Sequence, residues 1–359
     1  MSANTPWDFV VSRRNPSLSR LQPSEPADGP LEPGEVEFLV ERFALSANNL
    51  TYAASGESLG YWSLFGASDG WGIVPAWGYA VARRSRCEHA PEGARVFGLV
   101  PMGSRFRLRP RRVRLGLLDQ SPQRQDLNPA YNLYADAPAG DLIEDELVAA
   151  LRPLAILGFV LADHLAGADL PAAPAVVVTS ASSRTAISLG WMLGREQGRR
   201  RIGVSSPRNR RFAADSGAFD DTLVYGDAPP VADTAWVLVD FTGDPDVVAR
   251  TTLAAGRPPL RVVQVGATHT GTAGAWPSGS GDVFFAPDHI QSRIAAWGPQ
   301  VFETRFRAAF DGFLLGFGGR LAIARGHGPA ALTASWGRLL AGRSDPGEAV
   351  IIVPGAGRP

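Results

Sequence analysis

The sequence predicts an α/β protein of two domains, a β-rich one and one built on a parallel sheet with helices on both faces. Three observations predict it. The chain has 359 residues, too many for one small core. Hydrophobic residues make up 45% of it and aromatics 9%, the composition of a globular protein. Up to about residue 140 short apolar stretches alternate with Gly and Pro, and beyond it fully apolar runs alternate with helix-length segments, the pattern of a parallel sheet buried on both sides.

Taken in order, residues 17–33 are rich in Pro, Ser and Glu and read as an exposed loop or a wandering first hairpin. GEVEFLVERFAL then sets Val36, Phe38 and Val40 on one face and Glu37, Leu39 and Glu41 on a solvated one. WGIVPAWGYAVARRS and ARVFGLVPMG continue an irregular β-barrel. DLIEDELVAALRPLAILGFVLADHLAG has acids first and apolar residues at helical spacing later, which predicts two helices broken near Pro153. Its apolar run is interrupted by Asp163, short of the roughly 18 residues of a membrane span. AVVVT, RRIGVSS, DDTLVYG, AWVLVDF, LRVVQVG and DVFFAP are the strands of the parallel sheet. The expected domains are 1–140, completed by 292–359, and 141–291. In the completing segment, AVIIVP has the character of a strand that pairs back into the first domain.

Charge and composition close several classes of function. Basic and acidic residues balance at 35 each, so no bulk field draws the chain to nucleic acid or to a membrane surface. Every basic residue is arginine. Without lysine there is no Walker A phosphate lysine, no Schiff base and no Tyr-x-x-x-Lys pair. Cys87 is the only cysteine, which excludes disulfides and cysteine-rich metal sites within one chain. The N-terminal residues lack the apolar core of a secretory signal, so the expectation is a cytoplasmic protein with a small-molecule partner.

The chemistry starts at VVVTSASSRTAISLG, Val176 to Gly190, where a strand meets a small-residue turn and then a helix. The first strand-to-helix turn of a doubly wound sheet offers main-chain N–H groups and a helix dipole to a diphosphate. Ser180 to Arg184 form that turn and Thr185 opens the helix; Ala181, Ser182 and Ser183 are small enough for close approach, with Arg184 as a bidentate phosphate partner. The other reading is a turn that only starts a packed helix. Where the next strand ends, SSPRNRR stands in place of an acid for a ribose 2′-hydroxyl. Ser205, Ser206, Arg208 and Arg211 there suit a 2′-phosphate, which favours NADPH over NADH; a surface arginine cluster is the alternative. Gly243 in DFTG, and Gly266 and Thr268 in GAT, lie at later strand ends, where small residues let a nicotinamide approach. His289 lies in the same half with no carboxylate partner identifiable from sequence.

Together these segments resemble the medium-chain dehydrogenase/reductase superfamily, in its zinc-independent quinone oxidoreductase and enoyl reductase branch. GEVEFLVERFALSANNLTYAASG is similar to that family's opening strands, EGARVFGLVPMG to its Gly-Asp-Arg-Val-Phe-Gly-Leu segment, and VVVTSASSRTAISLGWML to its cofactor-binding half. More narrowly, the Ser-Ala-Ser-Ser-Arg-Thr-Ala turn resembles that of a microbial offshoot of the superfamily. The resemblance covers most of the chain and implies a GroES-like catalytic domain, a Rossmann domain and a homodimer. Two departures stand out. Gly78-Tyr79-Ala80 replaces the Gly-His-Glu zinc segment, which excludes carbonyl polarisation by zinc. Ser183-Arg184-Thr185-Ala186 stands where Gly-Gly-Val-Gly is expected.

Reduction of an enoyl group or quinone by NADPH needs neither lysine nor metal, only a proton to follow the hydride. In NNLTY, Tyr52 lies near the position of the enoyl reductases' donor tyrosine, Asn48 and Asn49 can bond a carbonyl oxygen, and Tyr61 is the substitute. The substrate is then an acyl thioester or a quinone. A catalytically inactive scaffold or nucleotide sensor is the rival function. RFRLRPRRVR, Arg105 to Arg114, is either a dock for an acidic carrier or coenzyme A phosphate, or a solvated strand face.

Overall fold

A computed structural model describes residues 5–24, 29–167, 174–194, 199–265 and 282–355. The chain forms two compact units, Met1–Ala150 with Ile323–Pro359, and Leu151–Ala322. In chain order the elements begin with β1 (Trp7–Ser12), β2 (Ser19–Pro23), β3 (Val36–Leu45), α1 (Ala47–Ala54), β4 (Trp71–Ile73), β5 (Pro75–Ser85) and β6 (Arg95–Pro101). There follow β7 (Arg105–Leu108), β8 (Pro110–Val113), β9 (Gly116–Asp119), β10 (Leu133–Asp136) and α2 (Leu142–Gly167). The middle of the chain holds β11 (Ala175–Val178), α3 (Arg184–Leu193), β12 (Arg201–Ser205), α4 (Arg210–Asp215), β13 (Asp221–Val224), β14 (Trp236–Asp240), α5 (Pro245–Ala254), β15 (Arg261–Gln264) and β16 (Asp282–Val283). Last come α6 (Ala286–Trp297), α7 (Pro299–Phe317), β17 (Ala322–His327), α8 (Gly328–Leu340) and β18 (Glu348–Val353).

The first unit holds a three-stranded sheet, β2-β1-β4, and a nine-stranded one that runs β17-β18-β3-β5-β6-β10-β9-β8, with β7 also on β3. β18, which holds AVIIV of the AVIIVP segment, pairs antiparallel with β3. Its core is aromatic, with Phe38 stacked on Phe106 at 5.5 Å and Phe9 edge-on to Trp336 at 5.9 Å. In the second unit six parallel strands lie in the order β13-β12-β11-β14-β15-β16, the 3-2-1-4-5-6 order of a Rossmann sheet. Every residue of β11 and of β14 is buried, as the unbroken apolar runs require.

Three expectations are corrected. α2 is one helix of 26 residues that passes through Pro153, because Leu151, Leu154 and Ala155 are buried beside it and tertiary packing outweighs the proline's cost of roughly 3 kcal/mol. By length and composition α2 is also apolar enough to cross a membrane, since one Asp barely lowers the average over a long window. Nine of its hydrophobic residues, among them Val160, Leu161 and Leu165, are nonetheless buried inside the protein. Glu37, placed on the solvated face of β3, is 1% exposed.

Arginines of β5 and β7 explain the burial of Glu37. Arg84 binds it at 2.8 Å, with Arg105 at 3.8 Å and Arg107 at 3.6 Å. Burial raises the Glu37 carboxyl, but the Arg84 hydrogen bond and the three positive charges outweigh it and hold the carboxyl below its usual value. Arg109 binds Glu35 at 3.2 Å. This part of the arginine stretch is an ion-pair network rather than a solvated face.

Candidate functional site

The turn between β11 and α3 uses small residues where glycines are expected, and the room comes from its neighbours. A Cβ on Gly203 of β12 would lie 2.8 Å from the Cβ of Ala181, and one on Gly158 of α2 would lie 2.2 Å from Ser188 Oγ on α3. The glycines that permit close packing therefore sit on the facing elements. Ser180 still takes the left-handed conformation, at φ 48°, and is the only non-glycine residue with positive φ among the described residues.

Ser180 N donates to Tyr225 Oη at 3.1 Å, Ala181 N to Val204 O and Ser183 N to Ser180 O. Ser183 caps α3, its hydroxyl accepting from Ala186 N at 3.2 Å. The N–H groups of Ser182, Arg184 and Thr185 have no partner among the described residues. Arg184 is half-buried with no carboxylate partner among them, and desolvation pushes its guanidinium down to about 10.

At the end of β12, Ser205 is buried and its hydroxyl donates to Ser182 Oγ at 3.2 Å, which ties the two predicted segments together. Arg208 is exposed and without a partner among the described residues. Arg211 is exposed too and pairs with Asp215 at 3.5 Å, while Arg210 is committed to Thr222 O at 2.9 Å. Ser206 caps the bend, its hydroxyl accepting from Asn209 N at 3.3 Å. Tyr225, absent from the sequence reading, crosses this edge. Its N donates to Ser205 O and its hydroxyl reaches Ser180, and burial raises its phenol above the usual value.

At the end of β14, Asp240 is 1% exposed and organises DFTG by itself. Its Oδ1 accepts from Thr179 Oγ1 at 2.6 Å, Thr242 Oγ1 at 2.7 Å and Thr242 N at 3.1 Å, and its Oδ2 from Gly243 N at 3.0 Å. Gly243 therefore offers no main-chain donor, only the lack of a side chain at φ 66°. Gly266 and Thr268 lie outside the described residues.

In the first unit α1 carries Asn48, Asn49 and Tyr52. Asn49 is buried and its amide is spent: Oδ1 accepts from Ser46 N at 2.8 Å in a capping box, and Nδ2 donates to Pro75 O at 2.9 Å. Asn48 is half-buried and its Nδ2 donates to Tyr52 Oη at 2.7 Å. Trp77 Nε1 donates to the same oxygen at 3.0 Å, a residue the sequence reading did not single out. Burial pushes the Tyr52 phenol well above its usual range, while the Trp77 and Asn48 bonds act the other way. Tyr61 packs on Tyr52 at 4.7 Å, and its hydroxyl is paired with that of Tyr131 at 2.9 Å.

One polar cluster escaped the sequence reading for want of proximity in the chain. His289 Nε2 lies 2.7 Å from Asp163 Oδ2, which also accepts from Arg293 Nε. The carboxylate missing for His289 thus comes from α2, 126 residues earlier.

Solved structures superpose on nearly the whole chain. CurA from Vibrio vulnificus does so with a TM-score of 0.62 at 13% identity, covering 99% of this chain and 100% of that one, and its complex with NADPH with 0.60 at 14%, covering 98% and 100%. A putative NADPH:quinone reductase from Bacillus thuringiensis gives 0.61 at 12%, covering 97% and 98%. The chain accordingly has the medium-chain dehydrogenase/reductase fold, a GroES-like domain with a Rossmann domain. A family model described as a protein of unknown function, DUF2855, matches residues 43–345, and the chain belongs to that family. A search of curated proteins finds no match.

Proposed function

We propose that the protein is an NADPH-dependent, metal-independent reductase that delivers hydride to an activated double bond or a quinone. The observation that carries the reading is the set of donors left over among the described residues at the head of α3: the N–H groups of Ser182, Arg184 and Thr185, beside a guanidinium with no carboxylate partner among those residues. Such donors suit a diphosphate. Ala181 and the Ser183 cap shape the turn, and Arg208, with Ser205, Ser206 and Arg211, would take the 2′-phosphate. Gly243, Gly266 and Thr268 belong to the nicotinamide end of the same proposal. CurA from V. vulnificus has been crystallised with NADPH, and the B. thuringiensis protein is named for NADPH and quinone, which supports the choice of cofactor and substrate class.

Bound there, NADPH supplies the hydride. The chain supplies the proton and the orientation. Tyr52 is the donor, Asn48 has a second amide hydrogen for a substrate oxygen, and Asn49 fastens the helix that carries both. Tyr61 is engaged with Tyr131 and stands behind Tyr52. The same reading makes the protein a cytoplasmic homodimer acting on a small molecule, an acyl thioester or a quinone.

A nucleotide-binding scaffold without turnover is the second reading, favoured by the prior engagement of Ser180 N with Tyr225 and of Gly243 N with Asp240. Thermal shift decides first. NADPH at a hundredfold excess over Kd should stabilise by about 2.7 kcal/mol, and no shift would sink both readings. A shift without turnover of enones or quinones selects the scaffold. Arg208→Ala should weaken NADPH more than NADH, and equal losses would remove the 2′-phosphate assignment.

A further inference from the structure

α1 is clamped to β5 at two points, one through a main-chain carbonyl of the strand and one through a side chain. Asn49 and Tyr52 are three apart on the helix, Pro75 and Trp77 two apart on the strand, and the pairs meet as Asn49 Nδ2 to Pro75 O and Trp77 Nε1 to Tyr52 Oη. The first pairing fixes the helix. The second reaches the hydroxyl on which the chemistry depends. Trp77 is itself held by Phe97, stacked at 5.8 Å.

An indole N–H can only donate. With Trp77 at 3.0 Å and Asn48 Nδ2 at 2.7 Å, Tyr52 Oη accepts two hydrogen bonds, so both of its lone pairs are taken. The phenolic hydrogen is what the hydroxyl still has to offer. We infer that Trp77 is a positioning residue that makes Tyr52 a one-way proton donor and stabilises the tyrosinate left behind. The kinetic part of this inference rests on the reductase reading.

In the transfer, a substrate that has gained hydride carries an extra electron pair as an enolate or quinol anion. The O–H bond of Tyr52 breaks, the proton bonds to the substrate, and the electron pair stays on Oη until water returns a proton. Burial opposes that ionisation, because a low-dielectric site disfavours the anion. The two N–H donors offset it, since their bonds become charge-assisted as the proton leaves. Neither Trp77 nor Asn48 has to move for this to happen. The donors are in place before the charge appears, which is what makes such stabilisation effective.

Trp77→Phe keeps a ring against Phe97 and removes the N–H. The variant should lose about tenfold in kcat, the size of one hydrogen bond, with KM and NADPH affinity within about twofold of wild type. Its solvent deuterium isotope effect on kcat should rise, because proton transfer becomes slower. In a Tyr52→Phe background the same change should leave kcat unaltered. A kcat within twofold of wild type, or an equal loss in both backgrounds, would overturn the inference. A double-mutant cycle on urea stability, using the same two substitutions, reads the Trp77–Tyr52 bond without any turnover. Additive losses would overturn the pairing itself. If the wild type turns over neither enones nor quinones, the reductase reading and the one-way donor role fall together, while the cycle still reports on the bond.

Discussion

Glu37, Asp119 and Glu146, buried in the β-rich unit, each lie against guanidinium groups. Arg84 faces Glu37, Arg124 faces Asp119 at 3.2 Å, and Arg325 grips Glu146 with a shortest contact of 2.7 Å. In the parallel-sheet unit, Asp240 is as deeply buried but is met by neutral donors alone, and Arg184 has no carboxylate partner among the described residues. The first pattern is charge paired within the unit, which fixes the strands. The second leaves a desolvated cation beside unused N–H groups at the end of a parallel strand, the place where open α/β sheets bind ligands. The difference separates charge that is paired within the fold from charge left unpaired among the described residues.

The largest expected effect tests the paired pattern. Arg124→Ala strands a carboxylate with no exposure and should cost about 3–5 kcal/mol in urea unfolding; a loss under about 1 kcal/mol would mean that Asp119 is held by its hydrogen bonds to Arg109 N and Ser121 rather than by the pair. Next is Asp240→Asn, which sets an amide N–H₂ against the N–H of Gly243 or against the three donors on the other oxygen. It should cost about 2 kcal/mol by the same measurement, and no loss would show that neutral donors were not selecting a carboxylate. At Ser180 the contrast is between two small residues. Ser180→Gly should be more stable than Ser180→Ala by about 1 kcal/mol, because alanine is strained at φ 48°, and equal stability would indicate that the turn relaxes.

The smallest effect is at the surface. The Arg201 hydrogen bond holds the Asp220 carboxyl below its ordinary value of 3.8, so the pair's stabilisation is present above pH 3.8 and is lost as pH falls through the lower folded value. Solvent screening limits it to about 0.5 kcal/mol, which an acid titration of wild type against Asp220→Asn would read as a small difference in slope.

Much of the architecture could be read directly. The strands from AVVVT to DVFFAP, their parallel pairing and the turn at Ser180 follow from apolar runs bounded by small residues, most clearly at β11 and β14, since a strand buried on both faces must be apolar throughout. The hydrogen bond between Ser205 and Ser182 was within reach because both lie at strand ends of one βαβ unit. Glu37 was misread because a period of two assigns a residue to a face without saying what covers that face, and here it is Arg84, Arg105 and Arg107 from two other strands. His289 went without its carboxylate for the same reason.

By itself, then, the order of residues determined the α/β class, the strand sequence of the Rossmann sheet, the lack of lysine chemistry and the small-residue turn, because these depend on local composition and short-range period. Only the tertiary structure decided which polar groups are spent. Asn49 goes to Pro75, Gly243 to Asp240, Ser180 to Tyr225 and Tyr52 to Trp77, while Arg184 and Arg208 are left over among the described residues. The reason is physical: a hydrogen bond is settled by distances of about 3 Å between atoms that are tens of residues apart in the chain, and spacing along the sequence carries no record of them.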